Sequence, residues 1–415
     1  MVPAVPDLVR CVGPLPTEAS LVTPDAADTG GDPIGVLLVI SNLEFGGAQR
    51  QVVELANGLN PRRFDVHVCS LSPYVPLAER LRDADRRLHV VRKRFKFDAG
   101  VVRRLAKLLR RLGTDIVHSY LFDADIAARL AGRRAGTPVI VGSERNAHYP
   151  LKRRQLLAYW LTRGCATAVI ANSHEGAAFN RQKLGHRESQ YHVIHNGVDT
   201  ARFRPRDNAD VRRDLGIGAA DKVVGMFASF KRQKNQPMLL RAAAQLRRRH
   251  PGLRLLLVGD ELYGGMHGSD LYKVGVQKLI DELGLRSCCV LPGNRPDVER
   301  LYCACEVTVL PSLFEGTPNA VLESLACGVP VVVTDVCDHR LIVPDGQVGF
   351  VVPLGDEDSL ARRLDELLSN EELRSRLGRA GHDWVSEHFS TACMVSRTEQ
   401  VYRRLLTEAT GQGTS

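Results

Sequence analysis

Short apolar runs separated by helix-length stretches recur along nearly the whole chain, and that alternation fixes the class of fold. A first series lies at 34–40, 64–70, 88–91, 115–120, 138–142, 168–171 and 191–195. A second lies at 222–228, 254–258, 288–291, 307–310, 329–334 and 349–352. Unbroken apolar runs mark strands buried on both faces, and helical patterns between them make the strands parallel. Residues 196–207 carry Gly, Asp and Pro without periodicity and read as a linker between two units. The expected organisation is a disordered tail at 1–32, rich in Pro, Ala, Asp and Gly, then doubly wound Rossmann-like domains at 33–200 and 201–388. A last helix at 389–415, capped by Ser390, completes it. A chain of 415 residues has room for two good cores.

Composition narrows the setting. No run of about eighteen apolar residues exists, which argues against a membrane-spanning helix. The first residues lack a basic leader and an apolar core, so no signal peptide is expected, and the ten cysteines read as reduced cytosolic thiols. Net charge is +9, and Arg80–Arg111 concentrates basic residues around an apolar helical stripe of Val101, Leu105, Leu108 and Leu109. Lys152, Arg153 and Arg154 add to it. That face is either a solvated surface or one that meets an anionic membrane or a phosphate-bearing acceptor. No nucleic-acid-binding motif accompanies the charge, and nucleic acid is not an expected partner.

The stretch from Val307 to Pro330 is the most informative unit: an apolar strand, a stop at Pro311, a loop with Gly316, and a helix closed by Gly328. Thr317 is expected as the helix N-cap and Pro318 as its first residue. A loop at the carboxyl end of a strand is where open α/β sheets bind ligands. Glu315 lies in the loop and Glu323 in the helix, about 7–8 Å along the axis from Pro318 at ~1.5 Å per residue. That separation suits two contacts on one long ligand better than one reacting bond. Free N–H groups of Thr317, Asn319 and Ala320, around Pro318, favour an anion between the two glutamates. The pattern reads as sugar near Glu315, phosphates at the helix start and a nucleoside near Glu323. Neither glutamate is expected in the core, and two solvated side chains are the plain alternative.

Glu315, seven intervening residues and Glu323, set in PSLFEGTPNAVLESLACGVPVV, resemble the signature of glycosyltransferase family 4. EFGGAQRQVVELANGL, DIVHSY, VIHNGVDTARFRP, ASFKRQKNQPMLLRA, LLLVGD and GQVGFVVPLGD agree in order. The resemblance runs from about Ile34 to the end. It implies a GT-B fold, in which two Rossmann-like domains face across a cleft and the last helix crosses back to the first. It implies retaining transfer from a nucleotide sugar, of UDP or GDP type, with no other cofactor.

The remaining candidates follow. Gly46 and Gly47 stand between a first strand and a helix, where a phosphate-binding turn belongs, but GGAQR lacks the full dinucleotide fingerprint. The resemblance places such a turn near the diphosphate or the acceptor; packing alone is the other reading. His118 is expected at the end of strand 116–119, facing the cleft, and the resemblance implies a histidine beside the donor sugar. Glu144 and Arg145, at another strand end, read either as acceptor-side residues or as a local ion pair. Lys234 matches the lysine that the family uses on the diphosphate, while its arginine partner is replaced by Ser229; Arg232 or Lys231 stands nearby to substitute. A fixed cation there stabilises the leaving nucleoside diphosphate. The Asp pairs 83/85, 123/125 and 356/358 fall on expected helices or a helix start and are not read as metal ligands, so no metal is expected.

Together these imply a cytoplasmic hexosyltransferase, working in places at the inner face of the membrane, with a lipid-linked or polysaccharide acceptor. The implied front-face route has the leaving phosphate take the acceptor proton while Glu315 and His118 hold the sugar. A sugar epimerase, a phosphorylase and an inactive scaffold of like architecture are the alternatives.

Overall fold

Every strand of the computed structural model runs parallel to its sheet neighbours. The described residues are 32–95, 98–145, 151–185, 187–261 and 268–411. The expected tail at 1–32 lies outside them except for Asp32.

The first sheet comprises β1 (Ile34–Ile40), β2 (Phe64–Ser70), β3 (Leu88–Val90), β4 (Ile116–Tyr120), β5 (Val139–Glu144), β6 (Ala168–Ala171) and β7 (Tyr191–Val193), in the order β3-β2-β1-β4-β5-β6-β7. The second comprises β8 (Lys222–Phe227), β9 (Leu253–Val258), β10 (Cys289–Gly293), β11 (Val307–Leu310), β12 (Val331–Thr334) and β13 (Gly349–Val352), in the order β10-β9-β8-β11-β12-β13. Each sheet therefore reverses its winding once, between β1 and β4 and between β8 and β11. Those are the points where loops diverge and leave a crevice. The apolar runs set the strands closely. One difference is at β12, which starts at Val331 rather than 329, after Pro330 and its missing N–H.

The helices of eight residues or more are α1 (Gly47–Gly58), α2 (Gly100–Arg111), α3 (Phe122–Ala135), α4 (Arg153–Thr162) and α5 (His174–Leu184) in the first half. In the second they are α6 (Gln236–Leu246), α7 (Ser269–Glu282), α8 (Asn319–Ala326), α9 (Glu357–Ser369), α10 (Glu371–His388) and α11 (Thr391–Thr410). The Ser390 hydroxyl caps α11 by accepting from the Cys393 N–H at 3.2 Å. Helix α11 belongs to the first domain's core: Met394, Val395, Tyr402 and Leu405 pack with β1, β4 and α1. The two chain crossings between domains run side by side, with Val198 N–H donating to Phe389 O and Thr391 N–H to Val198 O, both at 2.9 Å. A side chain at Gly197 would lie 2.7 Å from the Thr391 backbone, so this crossing needs glycine.

Candidate functional site

The loops after β8 and β11, on either side of the second sheet's switch point, are stitched together. Leu313 N–H donates to Gln233 O at 2.8 Å, and Gln233 Nε2 donates to Phe314 O at 2.7 Å. Asn235, at φ 54°, ends a short turn over Arg232–Lys234 and starts α6. Asn tolerates that left-handed conformation. This fixes Lys234, whose Nζ reaches Glu315 Oε1 at 2.5 Å. The Ser312 hydroxyl donates to the same oxygen at 2.6 Å. Glu315 is 5% exposed. Burial pushes its carboxyl up, but Lys234 and the Ser312 hydroxyl outweigh that and hold it below the usual range. Its Oε2 has no hydrogen-bond partner among the described residues.

Lys231 is a second cation at this point. Burial and the neighbouring Lys234 bring its ammonium down to about 8, against the pull of Glu315. Arg232 is exposed. Ser229 holds the loop through its backbone carbonyl, which accepts from Gln236 Nε2 at 3.1 Å.

Helix α8 starts one residue later than the sequence suggests. Pro318 is the N-cap and Asn319 the first helical residue. The Thr317 hydroxyl is not a cap: it donates to Asn172 O of the first domain and accepts from Asn196 N–H at 3.3 Å. Asn196 Nδ2 also donates to Thr317 O at 3.1 Å and Asn319 Oδ1 at 2.6 Å. The amides of Gly316, Thr317, Asn319 and Ala320 have no acceptor among the described residues. Pro318 has none to offer. Gly316 is sterically required, because a methyl there would overlap Asn172 and lie 2.7 Å from Arg145 O. Gly47 reaches the same place from the first domain, with its carbonyl 3.5 Å from Asn319 Nδ2. Gly46 is the N-cap of α1.

Both glutamates are buried, contrary to the expectation that neither lies in the core. Glu323 is 6% exposed, and both its oxygens are occupied. Arg50 Nη1 of α1 sits 2.5 Å from Oε1, and Tyr302 donates its hydroxyl to Oε2 at 2.8 Å. Tyr302 is held by stacking on Phe227, with ring centroids 3.7 Å apart. Arg50 stands three residues past Gly47 in GGAQR, where sequence reasoning considered only the glycines. Nothing local marks it as the partner of a glutamate in the other domain.

A third junction is Asp338. Its carboxylate accepts from the N–H groups of His174 at 2.8 Å and Glu175 at 3.2 Å, and meets His195 Nε2 at 2.8 Å. Burial raises its carboxyl, yet these bonds bring it below the ordinary value. His174, His195 and Asp338 lie within metal-ligand reach of one another. The carboxylate is already committed, so the group acts as a cap that one domain provides for helix α5 of the other.

His118 does not end its strand. It is the third of five residues in β4, and alternate side chains of a strand point to the sheet faces rather than along the strand. It is 1% exposed, with Nδ1 2.6 Å from Tyr402 Oη of α11 and Nε2 2.6 Å from Ser143 Oγ. Burial, with Arg145 nearby, holds the imidazole well below its usual value and therefore neutral. Glu144 and Arg145 form no pair with each other. Glu144 Oε1 accepts from the Tyr191 hydroxyl at 3.0 Å. Burial pushes its carboxyl up to about 8, and its Oε2 is buried without a partner. Arg145 donates to Asn196 Oδ1 at 3.1 Å and lies over the Tyr120 ring. It thereby reaches the loop that carries Thr317, whereas Glu144 does not.

The Asp pairs do not converge. Asp123 pairs with Lys93, Asp125 with Arg129, and Asp356 caps α9. Among the described residues no helix is long and apolar enough to cross a membrane.

Comparison with known proteins bears on the family and the fold. Residues 45–202 match the family described as Glycosyltransferase Family 4, and 207–384 match Glycosyl transferases group 1. A Bacillus subtilis protein named as a glycosyltransferase, EpsD, is 31% identical, over 77% of this chain and 84% of its own length. An Escherichia coli relative, UDP-Gal:alpha-D-GlcNAc-diphosphoundecaprenol alpha-1,3-galactosyltransferase, is 30% identical, over 65% of this chain and 70% of its own. Among solved structures, Anabaena HepE in complex with UDP superposes with a TM-score of 0.78 at 22% identity, covering 89% of this chain and 100% of that one. At that identity the likeness is one of fold.

Proposed function

The chain belongs to the family 4, group 1 glycosyltransferases of GT-B fold, and from that premise we propose that it moves a hexose from a UDP-type donor to a lipid-linked or polysaccharide acceptor with retention. The observation that carries this reading is the Lys234–Glu315 pair at the β8/β11 switch point, beside four amides without acceptors. The E. coli relative's name gives a UDP-sugar donor and a lipid diphosphate acceptor, which favours UDP over GDP and a lipid-linked acceptor over a free glycan.

In this reading the donor diphosphate lies against the amides of Gly316, Thr317, Asn319 and Ala320. A helix start and its free N–H groups suit an anion. Lys234 and Lys231 stabilise the charge that grows on the leaving diphosphate, and Lys231 supplies what an arginine at Ser229 would have supplied. Glu315 uses its open Oε2 on the sugar hydroxyls, while Lys234 and Ser312 fix its other oxygen. Interactions set in place before reaction cost no reorganisation when charge develops. The leaving phosphate oxygen accepts the acceptor's proton on the same face. Glu323 receives the ribose once Arg50 gives way. His118 stays outside the reacting groups and braces β4 against α11; Arg145, held by Asn196, borders the acceptor side.

The test is a thermal-shift panel of UDP, GDP and ADP followed by turnover with UDP-hexoses and a polyprenyl-diphosphate acceptor. UDP should raise the melting point most, because a ligand bound only by the folded state stabilises it. No shift with any of the three would overturn the reading.

A further inference from the structure

Helices α2 and α3 lie side by side on one face of the first sheet, and α4 packs beside α3. Tyr159 of α4 is buried and packs edge-on to Phe122 of α3 at 5.3 Å. The outer face of α4 is unusual. Leu157, Trp160 and Leu161 are 56%, 54% and 65% exposed. Their spacing puts them on one ridge. Lys152, Arg153 and Arg154 occupy the N-cap and first turn, exposed, with no acid there. Cations at a helix N-terminus oppose its dipole. The arrangement therefore costs stability twice, through apolar side chains held in water and through charges at the wrong helix end. An anionic surface with an apolar layer beneath relieves both.

The charge extends sideways. Arg103, Lys107, Arg110 and Arg111 are exposed on α2, and Arg133 and Arg134 on α3. The one exposed acid on these three helices is Asp123, which already pairs with Lys93.

We propose that this face docks on an anionic lipid surface, with the Leu157–Trp160–Leu161 ridge entering the headgroup boundary and the flanking cations of α2–α4 holding the lipid phosphates. Two copies pairing through this face would set cations against cations, and a nucleic acid would leave the leucines in water. Interfacial helices with a basic flank and Trp or Leu on the other side bind in this way. The proposal adds a partner surface to the lipid-linked acceptor reading. Its test contains neither donor nor acceptor, so it stands or falls separately.

The experiment is co-sedimentation of the full chain with phosphatidylcholine vesicles, with and without phosphatidylglycerol. Binding is expected only with phosphatidylglycerol, weakening as salt rises. Leu157→Ser/Trp160→Ser/Leu161→Ser should weaken it by about tenfold or more. The chain has two tryptophans, so Trp384→Phe leaves Trp160 as sole reporter and keeps the ridge intact. Its emission should shift to the blue on phosphatidylglycerol vesicles alone. Absence of binding, equal binding to neutral vesicles, an unshifted Trp160, or a dimer that the triple variant dissolves would each overturn the proposal.

Discussion

Arg50 and Glu323 lie 273 positions apart in sequence and meet at 2.5 Å across the cleft. The glutamate charge raises the arginine's pKa, and Tyr302 is the carboxylate's other partner. Arg50→Ala leaves a buried carboxylate with one neutral donor, and should cost about 2–3 kcal/mol of stability, with Arg50→Lys costing less. If ribose binds at Glu323, as proposed, Arg50 must withdraw, so the same Arg50→Ala should bind UDP more tightly, by titration calorimetry. Weaker UDP binding would make Arg50 itself a ligand contact.

Lys231 should give donor binding an alkaline limb. Its ammonium is brought down to about 8 by burial and by Lys234, so it is charged below that pH and neutral above it. Only the charged form attracts a diphosphate. The donor KM should therefore rise as pH passes about 8, and Lys231→Arg, which stays charged, should flatten the rise. Lys234→Ala should lower affinity and turnover together. A KM flat with pH in the native protein would remove Lys231 from the phosphate site.

Glu144 should matter to stability and not to transfer. Burial raises its carboxyl from 4.5 to about 8. The folded state thus keeps a proton that the unfolded state releases, and stability falls as pH rises between those values. Glu144→Gln should remove that slope, raising the melting point at about pH 8 and little at about pH 5, with activity retained. Lost activity in a folded Glu144→Gln would restore its acceptor-side role.

Activity should persist in EDTA. Asp123, Asp125 and Asp356 are committed to other contacts, and in the proposed reading Lys234, Lys231 and the α8 amides supply positive potential for the diphosphate. Loss of activity restored by Mn²⁺ or Mg²⁺ would contradict this.

The strands were legible because burial on both faces leaves unbroken apolar runs such as Val307–Leu310. The β11–α8 unit was legible because proline and glycine punctuate it. What the sequence hid depends on the other domain. The Thr317 hydroxyl looks like a cap until Asn172 is beside it. Glu323 looks exposed until Arg50 and Tyr302 cover it. His118 stands mid-strand in β4 rather than at its end, and the neighbour that fixes it, Tyr402, comes from the crossing helix. Lys231 and Arg232 are adjacent in sequence, and only burial separates them.

The division of labour between the two glutamates is the centre of the account, and steady-state kinetics of Glu315→Gln and Glu323→Gln test it most directly. In the proposed reading Glu315 meets the sugar, where charge and shape change most, so Glu315→Gln should lower kcat by about tenfold to a hundredfold with UDP affinity roughly kept. In the same reading Glu323 meets the ribose, which hardly changes during reaction, so Glu323→Gln should mainly raise the donor KM. Both are buried, so each variant's melting point is measured first, and UDP should still raise it in Glu315→Gln. If Glu315→Gln abolished UDP binding and left kcat intact, the donor would lie in the opposite direction across the start of α8.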